Sequence, residues 1–154
     1  MKTLDQWFSE YAVSHQNPKN KAIHYICVPA IFFSIVGLIM SIPSAPLNTV
    51  LHFNAPIFEN WAALLLVFVL AFYLRLSASM ALKMALFSVF CLVVNFYIGQ
   101  YVWLWLFSIG VFALAWIGQF YGHAIEGKKP SFLKDLQFLL IGPAWVADNL
   151  FSTK

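Results

Sequence analysis

Residues Tyr101–Gly118 read YVWLWLFSIGVFALAWIG, eighteen positions without one charged side chain. As an α-helix this stretch is about 27 Å long at ~1.5 Å per residue, close to the ~30 Å hydrocarbon core of a bilayer. In a soluble protein such a helix would need apolar partners on every side. A transmembrane helix is the simpler reading. Working outward, three further stretches have the same character: Ile23–Ile42, Ile57–Leu74 and Ala81–Ile98. Glu59, Arg75 and Lys83 lie at or near span ends, where long side chains reach the interface. Asn95 is the strongly polar residue placed to hydrogen-bond inside. The expected fold is all-α: a single membrane domain, 1–154, with about four transmembrane helices.

Composition agrees. The 154 residues are 62% hydrophobic and 10% charged, whereas soluble domains carry about 25% charge. Most of the surface therefore faces lipid. The net charge of +3 is small and dispersed, which argues against nucleic acid as a partner. Cys27 and Cys91 lie in apolar stretches and read as buried thiols rather than a disulfide. The polar first twenty residues, and the missing small-residue cleavage site after the first apolar run, predict no cleaved signal peptide.

The basic residues set the expected orientation. Lys2, Lys19 and Lys21 precede the first span; Arg75 and Lys83 flank the turn between the second and third; Lys128, Lys129, Lys134 and Lys154 follow the fourth. The loop Pro43–Pro56 and the turn at Gly99–Gln100 carry none. By the positive-inside rule both termini are cytoplasmic. A bacterial inner membrane is expected, or the endoplasmic reticulum if the source is a eukaryote.

Two segments outside the spans look interfacial. Residues 4–15 set Leu4, Trp7, Phe8 and Tyr11 at helical spacing against Asp5, Gln6, Ser9 and Glu10. Residues 131–151 are also amphipathic but contain Gly142-Pro143, which predicts an interfacial helix pair rather than a fifth span.

Three of the four histidines fall at the cytoplasmic boundary: His15, His24 and His123, with His52 in an outer loop. On one continuous helix His15 and His24 would face opposite ways, roughly 13 Å apart. Asn17-Pro18 predicts a corner instead: Asn caps the next helix, Pro suits its first turn, and His15 folds back toward His24. His123 and Glu126 share a helix face if the fourth helix continues that far. Gly118 and Gly122 allow another helix to approach closely beside His123. A lone interfacial histidine is more often structural than a ligand. Three on one membrane side, with a carboxylate at helical spacing, point to an N/O metal site. Such a set suits O2-activating non-haem Fe(II), and zinc or manganese also accept it. Lys128 and Lys129 satisfy topology, and with Lys19 and Lys21 offer charge for an anionic head group.

Two blocks together resemble a known family. One is Trp7-Phe8-x-x-Tyr11-x-x-x-His15-Gln16-Asn17-Pro18-x-Asn20-Lys21-x-Ile23-His24-Tyr25-Ile26-x-Val28-Pro29; the other is Gln119-Phe120-x-Gly122-His123-x-x-Glu126-x-Lys128-Lys129-Pro130. Their order and spacing resemble the small membrane 2-hydroxy fatty acid dioxygenases of fatty-acid α-oxidation. The resemblance implies an Fe(II)-dependent enzyme that uses O2 to shorten a 2-hydroxy fatty acid by one carbon. It implies His15, His24 and His123 as metal ligands and catalytic residues, with Glu126 at an acidic position of the family. Asn17, Asn20, Tyr25 and Gln119 would then support the imidazoles or the substrate head group. A di-iron desaturase needs many more histidines than four. Haem held by His24 and His123, or a non-enzymatic lipid-binding or scaffold protein with interfacial histidines, are the competing expectations.

Overall fold

The computed structural model of the protein describes residues 2–51, 55–127 and 132–151. Among them there are seven α-helices and no strand: α1 (Leu4–Ala12), α2 (Pro18–Met40), α3 (Ala45–Leu51), α4 (Trp61–Leu76), α5 (Ala78–Ile98), α6 (Leu104–Glu126) and α7 (Phe132–Phe151). Three of these, α2, α5 and α6, are long and apolar enough to cross a membrane. The 16-residue α4 and the stretch Phe138–Leu150 of α7 are shorter apolar helices.

Local chemistry sets the boundaries. The α1 N-terminus is a capping box: the Gln6 N–H donates to Thr3 Oγ1, and the Thr3 N–H donates back to the Gln6 side chain. α2 starts at Pro18, earlier than the apolar run suggests, because Asn17 caps it by accepting the Lys19 N–H at 2.9 Å. α4 starts at Trp61 rather than Ile57 because the Asn60 side chain accepts the Ala63 N–H. Ser77 both ends α4 and caps α5. α3 forms inside the loop expected between Pro43 and Pro56. His52 and Lys128–Lys129 lie outside the described residues.

The expected break at Gly142-Pro143 is absent. α7 is one helix with Pro143 inside it. Proline forfeits one backbone hydrogen bond, but Ile141, Ala144, Trp145 and Val146 beside it are all buried. Apolar burial of ~1.5–3 kcal/mol per large side chain outweighs that loss.

The chain divides into two compact units, Met1–Phe32 with Ala113–Lys154, and Phe33–Phe112. In the first, the apolar face of α1 packs on α7: the Tyr11 ring lies 5.2 Å from both Phe138 and Trp145. Along the same unit α2 and α6 approach closely. A Cβ at Gly118 would run into Cys27 Sγ, and one at Gly122 into Asn20 Oδ1. The small-residue pair thus does what its spacing predicted, letting α2 lie against α6 beside His123.

In the second unit α4 packs on α5. Met80, Met84, Ser88, Cys91, Leu92 and Asn95 form the buried stripe of α5, recurring every three to four residues. Asn95, fully buried, donates from Nδ2 to the carbonyls of Phe33 (3.1 Å) and Cys91 (2.9 Å), tying α5 to α2.

Candidate metal centre

His15 lies in the turn after α1, His24 in the second turn of α2, and His123 near the end of α6. They belong to the first unit, and it brings them together. Ring centroids are 4.2 Å apart for His15–His24, 5.1 Å for His24–His123 and 5.5 Å for His15–His123. One nitrogen from each ring lies within 4.8 Å of the others. This is near twice a metal–nitrogen bond of ~2.1 Å. All three are buried, at 3%, 1% and 6% exposure. The corner at Asn17-Pro18 performs the reversal that a continuous helix could not.

The outer nitrogens define the tautomers. His15 Nδ1 is 2.6 Å from the Tyr11 carbonyl, and His24 Nδ1 is 2.9 Å from the Asn20 carbonyl. A carbonyl only accepts, so each Nδ1 carries the proton and each Nε2 keeps a lone pair. The same arrangement orients ligating histidines in metalloproteins. His15 Nε2 is buried with no hydrogen-bond partner among the described residues. Burial pushes the His15 imidazole down to about 4, only partly opposed by the Tyr11 carbonyl, so the ring is neutral at neutral pH. Three buried imidazoles converging on one point, with His15 neutral and its Nε2 orphaned, fit a divalent first-row metal ion.

Tyr11 stacks on His15, with centroids 4.1 Å apart and planes 10° from parallel. Trp145 lies 5.9 Å from the same ring. A cavity of about 40 Å³ adjoins the three histidines, lined also by Tyr11, Gln119, Trp116 and Phe138. At ~10–15 Å³ per water it holds an ion and a few water-sized ligands.

The remaining expected site residues are distributed differently. The Glu126 carboxylate accepts the backbone N–H of Gln16 (2.9 Å) and of Asn17 (2.9 Å) and the Asn20 amide (3.0 Å). Asn20 is fully buried and touches both helices, through the His24 Nδ1–H and through Glu126. Gln119 is buried one turn before His123 and lines the cavity. Tyr25 stacks on Trp145 at 5.6 Å. Tyr11 and Trp145 were not expected at the site. Tyr11 belongs to the apolar stripe of α1, four residues before His15, which is the available signal. Nothing in the local sequence marks Trp145, which arrives through the packing of α7 on α1.

Helices able to cross a bilayer, with a buried three-histidine cluster, define an all-α membrane protein carrying a candidate metal centre. The family model described as "2-hydroxy-palmitic acid dioxygenase Mpo1-like" matches residues 1–153. The chain belongs to this Mpo1-like family, as its two histidine blocks indicated. No curated protein and no solved structure matches it.

Proposed function

We propose that the protein is an Fe(II)-dependent dioxygenase that converts a 2-hydroxy fatty acid to the fatty acid one carbon shorter, with His15, His24 and His123 as the metal ligands. The observation that carries this reading is the convergence of three buried imidazole nitrogens within 4.8 Å, in a chain whose family is described by that substrate class. The reaction balances without an added reductant. The 2-hydroxy acid and one O2 give the shortened acid, carbon dioxide and water, and all four electrons come from the substrate. When bound, iron supplies a shared coordination centre for the hydroxy acid and O2 and lowers the pKa of the substrate hydroxyl.

The protein's own residues do the rest. The Tyr11 and Asn20 carbonyls hold the protons of His15 and His24 on Nδ1, so that Nε2 faces inward on both. Gln119 offers an amide N–H to the substrate carboxylate at the cavity wall. Tyr11, Trp116 and Phe138 limit water beside the reacting carbon. Lys19 and Lys21, with Lys128 and Lys129 following in sequence, draw the anionic head group to the membrane surface. The acyl chain remains in the apolar phase of the bilayer, which is why the enzyme has a membrane body. Both termini are cytoplasmic, as the distribution of basic residues requires.

The test is anaerobic reconstitution of purified protein with Fe(II), then addition of a 2-hydroxy fatty acid and O2. Stoichiometric O2 uptake with a product one carbon shorter is expected, abolished in His24→Ala and His123→Ala. If wild type and His15→Ala both retain no transition metal, the dioxygenase reading is wrong and the histidines are interfacial residues.

A further inference from the structure

Glu126 is three residues beyond His123 on α6, on a face that a metal ligand would share. Its carboxylate is nevertheless engaged elsewhere. Three donors reach it from across the chain: the Gln16 N–H on one oxygen, and the Asn17 N–H and Asn20 side-chain amide on the other. The Gln16 N–H belongs to the peptide joining His15 to Gln16. A group that fixes this peptide fixes the point from which the His15 side chain departs. Asn20 carries the same tie to the second imidazole, because its carbonyl accepts the His24 Nδ1–H. Gly122 leaves the space in which the Asn20 side chain sits. One carboxylate thus connects the segments bearing all three histidines: it shares α6 with His123, grips the corner after His15, and holds Asn20 on α2.

We propose that Glu126 is a positioning residue rather than a ligand: an anionic clasp that closes the His15–Asn17 corner onto α6 and preforms the three-imidazole site before any metal arrives. The inference rests on the metal-site reading above. Charge-assisted hydrogen bonds to backbone N–H groups are about twice as strong as neutral ones, so the carboxylate suits this role better than an amide. Loss of the carboxylate removes all three of these bonds at once, and with them the tie from the His15–Asn17 corner to Glu126.

The experiment uses the full chain, metal-free, in nanodiscs. Amide hydrogen exchange of Gln16 and Asn17 is compared in wild type, Glu126→Gln and Glu126→Ala, followed by Co(II) titration read from the visible d–d spectrum. Both amides are expected to be protected in metal-free wild type and to exchange fast in Glu126→Ala. Cobalt affinity is expected to fall about 10–100-fold in Glu126→Ala, the range for partners that orient ligands. Glu126→Gln, which keeps one acceptor oxygen, should fall between. The spectrum at saturating cobalt should stay that of wild type, because the ligands are unchanged. An altered saturated spectrum would make Glu126 a ligand and overturn the proposal, as would unchanged affinity in both variants. Should Glu126→Ala fail to fold, the Gln variant alone carries the comparison. Protected amides in a wild-type protein that takes up no cobalt would overturn the metal reading and leave the clasp standing.

Discussion

Gly122 on α6 lies so close to Asn20 on α2 that a Cβ at position 122 would occupy the place of the Asn20 side-chain oxygen. Backbone therefore meets a buried polar side chain directly, one residue before His123. Gly122→Ala must displace Asn20 or push the helices apart. Overpacking of this kind costs about 1–3 kcal/mol. Thermal unfolding should show that loss, and cobalt binding should weaken with it, since Asn20 orients His24. An alanine variant with wild-type stability and affinity would show that α2 and α6 are not locked at this point.

Tyr11 presents two groups to His15, its ring and its carbonyl. Tyr11→Phe keeps both and should leave metal binding close to wild type. Tyr11→Ala keeps the carbonyl but removes a buried ring that also touches Phe138 and Trp145. Deletion of a large buried aromatic costs about 3–5 kcal/mol. Chemical denaturation in detergent, compared across the pair, separates ring packing from the hydroxyl.

Burial lowers the His15 imidazole from its ordinary 6.5 to about 4. Between these values the unfolded chain binds a proton that the folded protein refuses. The stability that His15 contributes is complete above about 6.5 and is lost as pH falls toward 4. The melting temperature of the metal-free protein should drop between pH 7.5 and 4.5, and His15→Gln should show a shallower decline. Equal slopes would mean that the ring titrates normally.

Asn95 makes two hydrogen bonds from one buried amide within the second unit, to carbonyls on α2 and α5. Such bonds in membrane helices average ~0.6 kcal/mol, with ~1.7 as the upper end. Asn95→Ala should therefore lower stability by about 1–2 kcal/mol while keeping the helical content seen by circular dichroism. A larger loss would assign Asn95 a packing role beyond its hydrogen bonds.

The proposed orientation is open to direct labelling. In intact cells, a cysteine at Gln100 should react with a membrane-impermeant maleimide, and one at Lys2 should react only after permeabilisation. Wild type serves as the blank, because Cys27 and Cys91 lie within apolar helices. The reverse pattern would place the basic residues and the three histidines on the outer side.

The sequence by itself determined the helical class, the apolar stretches and the local corners. Chain geometry is enough for these: an uncharged run of bilayer length has few alternatives, Asn17-Pro18 breaks one helix and starts the next, and Gly118 and Gly122 mark a face where a neighbour can come close. It also singled out His15, His24 and His123, through two blocks whose order and spacing resemble a known family. What it left open were relations between segments distant along the chain. Spacing on a helix says that His123 and Glu126 point the same way, but not what stands opposite each of them. Glu126 could have met a metal ion. It meets the Gln16 and Asn17 amides, 110 and 109 residues earlier, because the fold brings that corner to the end of α6. Trp145 beside His15, and a helix running unbroken through Pro143, likewise depend on the docking of α7. Local propensity opposed that continuity, and burial on both sides of the proline outweighed it. The convergence of the imidazoles themselves was decided only by tertiary packing, because no local rule brings nitrogens of His15 and His123, so distant in sequence, within 4.8 Å of each other.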